Sequence, residues 1–515
     1  MKFNPETALD CYKIDHRRQY APGVGLVFSN LTPRKTYRKT KPNGIVWFGL
    51  QYFIKEYLIN KWNTEFFQKP KEEVLKRFSR RINNYLGPNQ VGSDHIAALH
   101  DLGYLPLTIL ALPEGVQVPY KVPVFVFWNT KPEFYWLTNY LETIASVTIW
   151  PLATTATTAK QFKDILMRFA NETADSTEMV KFSGHNFSYR GCFGHEAACL
   201  ADAGWLTSFV GSDTVPGVDF MEEYYNADSD KELVGCSVSA TEHSVMASYG
   251  KEDELEAFRR IIEDLYPKGI VSIVSDTFDY WKVITEFTVK LKDKILQRDG
   301  KTVFRPDSGD NVKIITGYFP DEVITDNNGK KYISKSDNIS EMGRELSEAE
   351  YKGTIECLWD IFGGTTNTKG FKELNSKVSA ILGDGVTLEV MTAICERLQK
   401  KGFASTNLVY GVGSYSIQYG VSRDSDGYAV KSTYCEVSGV PREIFKDPKT
   451  DTSKMKKSAK GLTAVFKDGN GEFYLKDQAT WDEVNNCEFV KVFENGKLLK
   501  DYSLSEVRDN LAKYL

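Results

Sequence analysis

Short apolar runs that end in polar or glycine-rich clusters recur along the middle of the chain. Residues 270–274 lead into Ser275-Asp276, and Val303-Phe304 leads into Arg305-Pro306-Asp307-Ser308-Gly309. Residues 378–382 lead into Gly383-Asp384-Gly385, and residues 408–410 into Gly411-Val412-Gly413-Ser414. Apolar runs this short, bounded by turn residues, read as buried parallel strands. Asp213, His243, Asp276 and Asp307 follow one another at roughly the 30-residue period of a βα unit, and Asp384 and Gly413 repeat that spacing. Residues 387–401 supply a matching helix, with Met391, Ile394 and Leu398 on one face and Gly402 as the stop. The pattern predicts alternating strands and helices over 151–423, with polar residues gathered at the C-terminal strand ends, where α/β proteins do chemistry.

The flanks read differently. Residues 1–150 are rich in aromatics. Within them, 45–58 and 135–146 read as helices, and 105–112 and 122–128 as strands broken by prolines. Between Asp307 and Asp384 the spacing opens to more than two periods, and the polar stretch 316–352 reads as a surface insertion. Residues 424–515 return to strand-like pieces with hairpin signals at Lys467-Asp-Gly-Asn-Gly471 and Glu494-Asn-Gly496.

Composition narrows the class. A chain of 515 residues is too long for one ordinary core, so two domains or one elaborated barrel are expected. Hydrophobic content of 42%, charged content of 26% and a net charge of −5 fit a soluble protein with neither nucleic acid nor an anionic membrane as its main partner. The first residues lack the apolar core of a signal peptide, and no apolar stretch is long enough to span a bilayer. Eight scattered cysteines without a CxxC pair fit a reducing cytosol better than a disulfide scaffold or a zinc site. The expectation is a cytoplasmic enzyme.

Several clusters could carry chemistry, each with a plainer alternative. In Arg305-Pro-Asp-Ser-Gly309 the arginine can chelate a phosphate and the aspartate can hold a sugar hydroxyl or a Mg²⁺-bound water. A structural turn closed by an Arg–Asp ion pair is the alternative. Gly383-Asp-Gly385 and Gly411-Val-Gly-Ser414 can cradle phosphate on backbone N–H groups, although many loops contain two glycines. Lys446, Lys449, Lys454, Lys456, Lys457 and Lys460 form a lysine-rich loop, either a solvated face or a clamp on a polyanion. His243 falls in phase with the acidic strand ends, which raises it above a lone structural histidine. His185-Asn-Phe187 and Tyr189-Arg190-Gly191 could stack an aromatic ring and hold an anion, or simply pack the core.

Read in order, these segments resemble the nicotinamide phosphoribosyltransferases, particularly bacterial and phage forms. The likeness is carried by Asp10-Cys-Tyr12-Lys13, Gly49-Leu-Gln-Tyr52, Leu112-Pro-Glu-Gly115, residues 129–139, Tyr189-Arg-Gly191 and Gly211-Ser-Asp213-Thr. It continues through Glu242-His243-Ser, Val274-Ser-Asp276, Arg305-Pro-Asp-Ser-Gly309, Gly383-Asp384, Gly413-Ser414, Ser422-Arg423-Asp, Phe445-Lys-Asp-Pro448 and Lys457-Ser-Ala-Lys-Gly461.

The resemblance implies the type II phosphoribosyltransferase fold: an incomplete TIM-like α/β barrel with a mixed β-rich domain formed from both chain ends. It implies transfer of phosphoribose from 5-phosphoribosyl 1-pyrophosphate to nicotinamide with Mg²⁺, by a homodimer with active sites at the interface. By the same resemblance, Phe187 and a partner subunit's Tyr12 sandwich the pyridine, Asp213 accepts from the carboxamide, and Arg190 lies over ring and pyrophosphate. Arg305, Asp307, Gly383, Asp384 and Gly413 bind ribose and phosphate. Asp10, Ser237, Ser272 and Ser414 join the substrate set, and Arg423, Lys431, Lys446 and Lys454 form a basic cluster across the interface. Asp276 and Asp307 are the metal carboxylates, and ATP phosphorylates His243. Two stretches depart from the family pattern: its usual His-Asp-Phe-Gly is His185-Asn186-Phe187-Ser188 here, and its Val-Ser-Ser is Cys192-Phe193-Gly194.

The chemistry agrees. Displacement at the anomeric carbon develops positive charge on the ribose, which carboxylates such as Asp276 and Asp307 would stabilise. The neutral pyridine nitrogen is already a nucleophile, so positioning supplies most of what it requires. A nicotinate phosphoribosyltransferase is the nearest rival, and Asp213 discriminates by repelling a second carboxylate. A non-catalytic sugar-phosphate-binding barrel is the rival from another class.

Overall fold

Residues 3–334, 342–446 and 459–514 are described in a computed structural model of the chain. They divide into two compact units, one of 1–158, 218–232 and 421–515, the other of 159–217 and 233–420.

In the second unit the apolar runs become parallel strands: β1 (Gly184–Asn186), β2 (Gly211–Ser212), β3 (Ser239–Ala240), β4 (Lys268–Val274), β5 (Asp299–Arg305), β6 (Val378–Leu382) and β7 (Leu408–Val412). Their order in the sheet is β2-β1-β7-β6-β5-β4-β3, with every pairing parallel. Val303 on β5 pairs with Ser272 on β4, and Tyr410 on β7 with Gly184 on β1. The sheet curls: Cys236 bridges to Gly211 on β2, and Ser239–Ala240 three residues later pairs with β4 at the far edge. This is a seven-stranded variant of the TIM-like barrel, which has eight. Its core gathers Ile273, Phe304, Ala380, Leu382 and Tyr410 from the strands with Phe162, Trp205, Met391 and Leu398 from helices. The helix Leu388–Lys400 starts at Thr387, whose hydroxyl accepts from Val390 N, and buries Met391, Ile394, Cys395 and Leu398. The 316–352 stretch forms a three-stranded antiparallel sheet of Val323–Thr325, Lys331–Ser334 and Met342–Leu346.

The first unit interleaves both chain ends. Val24–Pro33 pairs antiparallel with Tyr428–Val437, and Leu107–Ala111 with Val490–Glu494, within one seven-stranded antiparallel sheet. Both hairpin signals are used: residues 468–472 link Leu462–Lys467 to Phe473–Ala479, and Asn495-Gly496, both at positive φ, turn Val490–Glu494 into Lys497–Leu498. The expected helix over 45–58 is corrected. Ile45–Val46 is a strand, and helix begins only at Leu50 because Gly49 sits at φ 114. The helix expected over 135–146 continues as Leu137–Thr173 through Pro151. No helix among the described residues is long and apolar enough to cross a membrane, and all eight cysteines are free thiols.

Candidate active site

Each barrel strand ends in one of the polar clusters read from the sequence. Phe187 follows β1, with Arg190 on the short turn Tyr189–Gly191 beyond it. Asp213 follows β2, and His243 opens a short helix three residues after β3. Asp276, Asp307, Gly383-Asp384 and Gly413-Ser414 follow β4, β5, β6 and β7. Parallel strands place all these loops at one rim.

One side of the rim gathers carboxylates around a histidine. His243 Nε2 lies 3.4 Å from Asp307 Oδ2 and 3.8 Å from Asp276 Oδ1. Its Nδ1 is 3.2 Å from the Thr277 hydroxyl. Asp276 Oδ2 accepts from the backbone N–H of Asp307 at 3.0 Å and from the Ser308 hydroxyl, which orients the carboxylate and ties the loops after β4 and β5. Asp276 Oδ1 is buried without a hydrogen-bond partner, and so is Arg305 Nε. Arg305 Nη2 donates to the Thr241 carbonyl at 3.2 Å. The Arg–Asp ion pair that would have made the 305–309 motif a mere turn is not among the ion pairs of the described residues.

The other side forms an aromatic pocket. The Phe187 ring lies so close over β7 that a Cβ at Gly411 would stand 2.2 Å from its Cε2, and one at Gly383 3.1 Å. Glycine at 411 is therefore what lets the ring lie there. His185 meets Phe187 edge-on at 5.2 Å between centroids. Its Nε2 lies 3.1 Å from Asp213 Oδ1, which also accepts from the Ser237 hydroxyl at 2.6 Å. Burial pushes the Asp213 carboxyl up, but the bonds from His185 and Ser237, with the charges of His185 and Arg305, outweigh it and hold it below the usual carboxylate range. Ser272 is buried within β4, its carbonyl accepting from Thr241 N at 3.0 Å.

The remaining expected residues belong to the first unit. Asp10 Oδ2 accepts from the Thr143 hydroxyl at 2.7 Å. Lys13 donates to Glu142 at 2.6 Å and lies 4.9 Å over the Tyr12 ring, which is 63% exposed. Desolvation lowers the Lys431 ammonium; Glu142 opposes this, while Arg34, Lys13 and Arg423 add to it. Arg34, Lys13, Arg423 and Glu142 thus all act on Lys431, and Glu142 was not among the expected residues because a lone glutamate on a helix carries no motif. Arg423 contacts Asp424 at 2.9 Å, and Lys446 follows the strand Val440–Glu443. Lys454, with Lys449, Lys456 and Lys457, lies outside the described residues.

Comparison with known proteins agrees with this geometry. Residues 182–495 match the nicotinate phosphoribosyltransferase (NAPRTase) family, and residues 5–109 match the nicotinamide phosphoribosyltransferase N-terminal domain. The chain is 47% identical over 524 residues to a nicotinamide phosphoribosyltransferase of Acinetobacter baylyi, spanning 100% of this chain and 98% of that one. The chain belongs to the nicotinamide phosphoribosyltransferase family. A second family member, from Mycoplasma pneumoniae, is 32% identical over 474 residues, 87% of this chain and 93% of its own. Among solved structures, a Pyrococcus furiosus nicotinate-nucleotide pyrophosphorylase has a TM-score of 0.56 at 14% identity, covering 99% of this chain and 95% of its own. A human nicotinic acid phosphoribosyltransferase reaches 0.53 at 12% identity, over 98% and 93%. At such identities these two structures establish the type II phosphoribosyltransferase fold and nothing finer.

The two departures from the family pattern differ in setting. Asn186 and Ser188 are buried at the end of β1, whereas Phe193 is 88% exposed. The first therefore lies in the wall beside Phe187; of the second, Phe193 is on the surface, whereas Cys192 is half-buried and its thiol donates to the Ser188 carbonyl at 3.3 Å.

Proposed function

We propose that this chain transfers phosphoribose from 5-phosphoribosyl 1-pyrophosphate to nicotinamide, releasing nicotinamide mononucleotide and pyrophosphate for NAD salvage. The observation that carries the reading is Asp213, an ionised carboxylate fixed by His185 and Ser237 in the pocket that holds Phe187. A neutral carboxamide NH₂ can donate to that carboxylate, whereas nicotinate would bring a second anion against it. Phe187 offers a ring face to the pyridine, whose nitrogen needs orientation rather than a general base. Asp276 and Asp307 face the side on which positive charge develops at the anomeric carbon. Arg190 and Arg305, with the backbone of Gly383-Asp384 and Gly413-Ser414, take the phosphates and ribose hydroxyls.

Asp276 and Asp307 fit Mg²⁺. The unpartnered buried Oδ1 of Asp276 is a ready ligand. Among the described residues no three His, Cys, Asp or Glu side chains gather into a metal cage; one or two carboxylates with substrate phosphates are the usual Mg²⁺ donors. When bound, the ion would neutralise charge on the leaving pyrophosphate. We assign ATP to His243, whose side chain is 47% exposed. The γ-phosphoryl group would pass to the imidazole, leaving ADP, and hydrolysis of that phosphate would drive synthesis. Asp10, Tyr12, Arg423, Lys431, Lys446 and Lys454 are assigned to a second copy's contribution in a homodimer. Eight free thiols support a reducing, cytoplasmic setting.

The test is the initial rate of nicotinamide mononucleotide formation against nicotinamide concentration, with and without ATP. Wild type should make product with an apparent KM lowered by ATP; His243→Ala should keep slow synthesis and lose that response. Failure of wild type to form product overturns the reading. Mixing Tyr12→Ala with Asp307→Ala protein should restore some activity if two copies build each site, and a fully active monomer excludes the homodimer.

A further inference from the structure

The helix α1 (His195–Leu206) buries an aspartate that none of the chemistry above employs. Asp202 is 0% exposed. Its Oδ1 accepts from the Asn186 side-chain amide at 2.6 Å and from the Ser212 hydroxyl at 2.5 Å. Both donors pass the constraint onward. Asn186 Oδ1 accepts from the backbone N–H of Ser188 at 2.9 Å, and Ser212 Oγ from that of Thr214 at 2.9 Å. Phe187 lies inside the first of these closed turns and Asp213 inside the second. The turns are tied to each other by Asp213 N donating to the Asn186 carbonyl at 3.0 Å. Asp202 Oδ2 has no partner, and a Cβ at Gly217 would stand 1.9 Å from it, so the chain leaves room for this carboxylate.

We infer that Asp202 is a positioning residue for the aromatic pocket, its buried carboxylate holding Phe187 and Asp213 in register through Asn186 and Ser212. The inference rests on reading that pocket as the nicotinamide site. It also explains Asn186, the departure noted from the sequence. An amide at 186 can donate to Asp202 and accept from Ser188 at once. A carboxyl at 186 could donate only while it or Asp202 stays protonated, since two buried carboxylates in contact cannot both ionise, so the pair would exchange a permanent amide donor for a pH-dependent one. Asn186 and Asp202 are therefore one unit, to be changed together.

The experiment uses the full-length protein as Asn186→Asp, Asp202→Asn and the double variant. KM for nicotinamide and for phosphoribosyl pyrophosphate are measured separately, and hydrogen exchange of segments 186–191 and 212–216 is followed. Asn186→Asp should raise the nicotinamide KM about tenfold and leave the other KM within about twofold, with faster exchange in both segments. Adding Asp202→Asn, which returns one amide and one carboxylate to the pair, should bring the KM back to within about threefold of wild type and restore protection. Equal rises in both KM values, or a double variant no better than Asn186→Asp, would overturn the inference. If wild type forms no nucleotide, the reading of the pocket fails. Hydrogen exchange still decides the positioning role then, which unchanged protection in Asn186→Asp would exclude.

Discussion

Glu114 in the first unit and Asp202 in the barrel unit are both sealed from water, yet they are treated in opposite ways. Glu114 Oε2 accepts from Gly49 N at 2.9 Å and the Tyr225 hydroxyl at 2.8 Å, and Oε1 from Gln51 N at 2.6 Å. Both oxygens are employed in capping the helix that starts at Leu50. Asp202 places two donors on one oxygen and none on the other, and Asp276 at the rim likewise leaves Oδ1 without a partner. Burial raises both the Glu114 and the Asp202 carboxyls, the latter to about 7. A buried carboxylate with both oxygens used holds the chain together. One left half-used costs stability, and at Asp202 and Asp276 that cost falls behind and on the rim.

That contrast can be broken in four places. The largest effect is expected at Asp276→Asn: activity should fall on the order of a thousandfold, while the melting temperature holds or rises, because a buried, partly unpaired charge is removed. Steady-state rates beside thermal unfolding read both. Glu114→Ala should do the reverse. Three donors lose their acceptor, so denaturant unfolding should show a loss of about 3 kcal/mol, with turnover per folded molecule unchanged. Gly411→Ala comes next, since a methyl 2.2 Å from Phe187 must displace the ring. The nicotinamide KM should rise about tenfold with little change in turnover number.

The smallest effect is one of pH. The folded Asp202 carboxyl, at about 7, lies above its ordinary value of 3.8, so the folded protein binds the proton more tightly than the unfolded chain. Its contribution to stability is full below pH 3.8 and is lost as pH rises through about 7. Asp213 and Cys192 are the titratable groups coupled to it. Between pH 6 and 8 wild type should lose about 1 kcal/mol of stability relative to Asp202→Asn, read by denaturant unfolding at each pH. A constant gap would place Asp202 among ordinary surface-like carboxylates.

Much of the rim was legible in the sequence because parallel strands convert a linear period into a spatial ring. Ile273, Phe304, Ala380 and Tyr410 mark strands by their apolar neighbours, and the residue after each run has to emerge at the C-terminal end. Asp276 and Asp307 followed from that rule, and Asp213 and His243 from the roughly 30-residue spacing of the βα period. What stayed hidden were the residues that act sideways. His185 showed only as an aromatic neighbour, because its bond to Asp213 crosses between strands. Gly411 read as a phosphate-loop glycine, whereas its missing side chain makes room for Phe187. Asp202 did leave a signal: it is the one charged residue in Ala197-Ala-Cys-Leu-Ala-Asp-Ala-Gly-Trp-Leu206, a run too apolar for a surface helix. In 45–58 the apolar periodicity concealed Gly49, whose left-handed backbone splits strand from helix.

The central claim is that Asp213 makes this rim a site for the amide. Its most direct test is the product ratio when equimolar nicotinamide and nicotinate compete for phosphoribosyl pyrophosphate, in wild type and in Asp213→Asn. The account predicts nicotinamide mononucleotide as the dominant wild-type product, with the ratio shifting toward nicotinate mononucleotide in the variant. Equal use of both substrates by wild type, or a ratio that Asp213→Asn leaves unmoved, would contradict it.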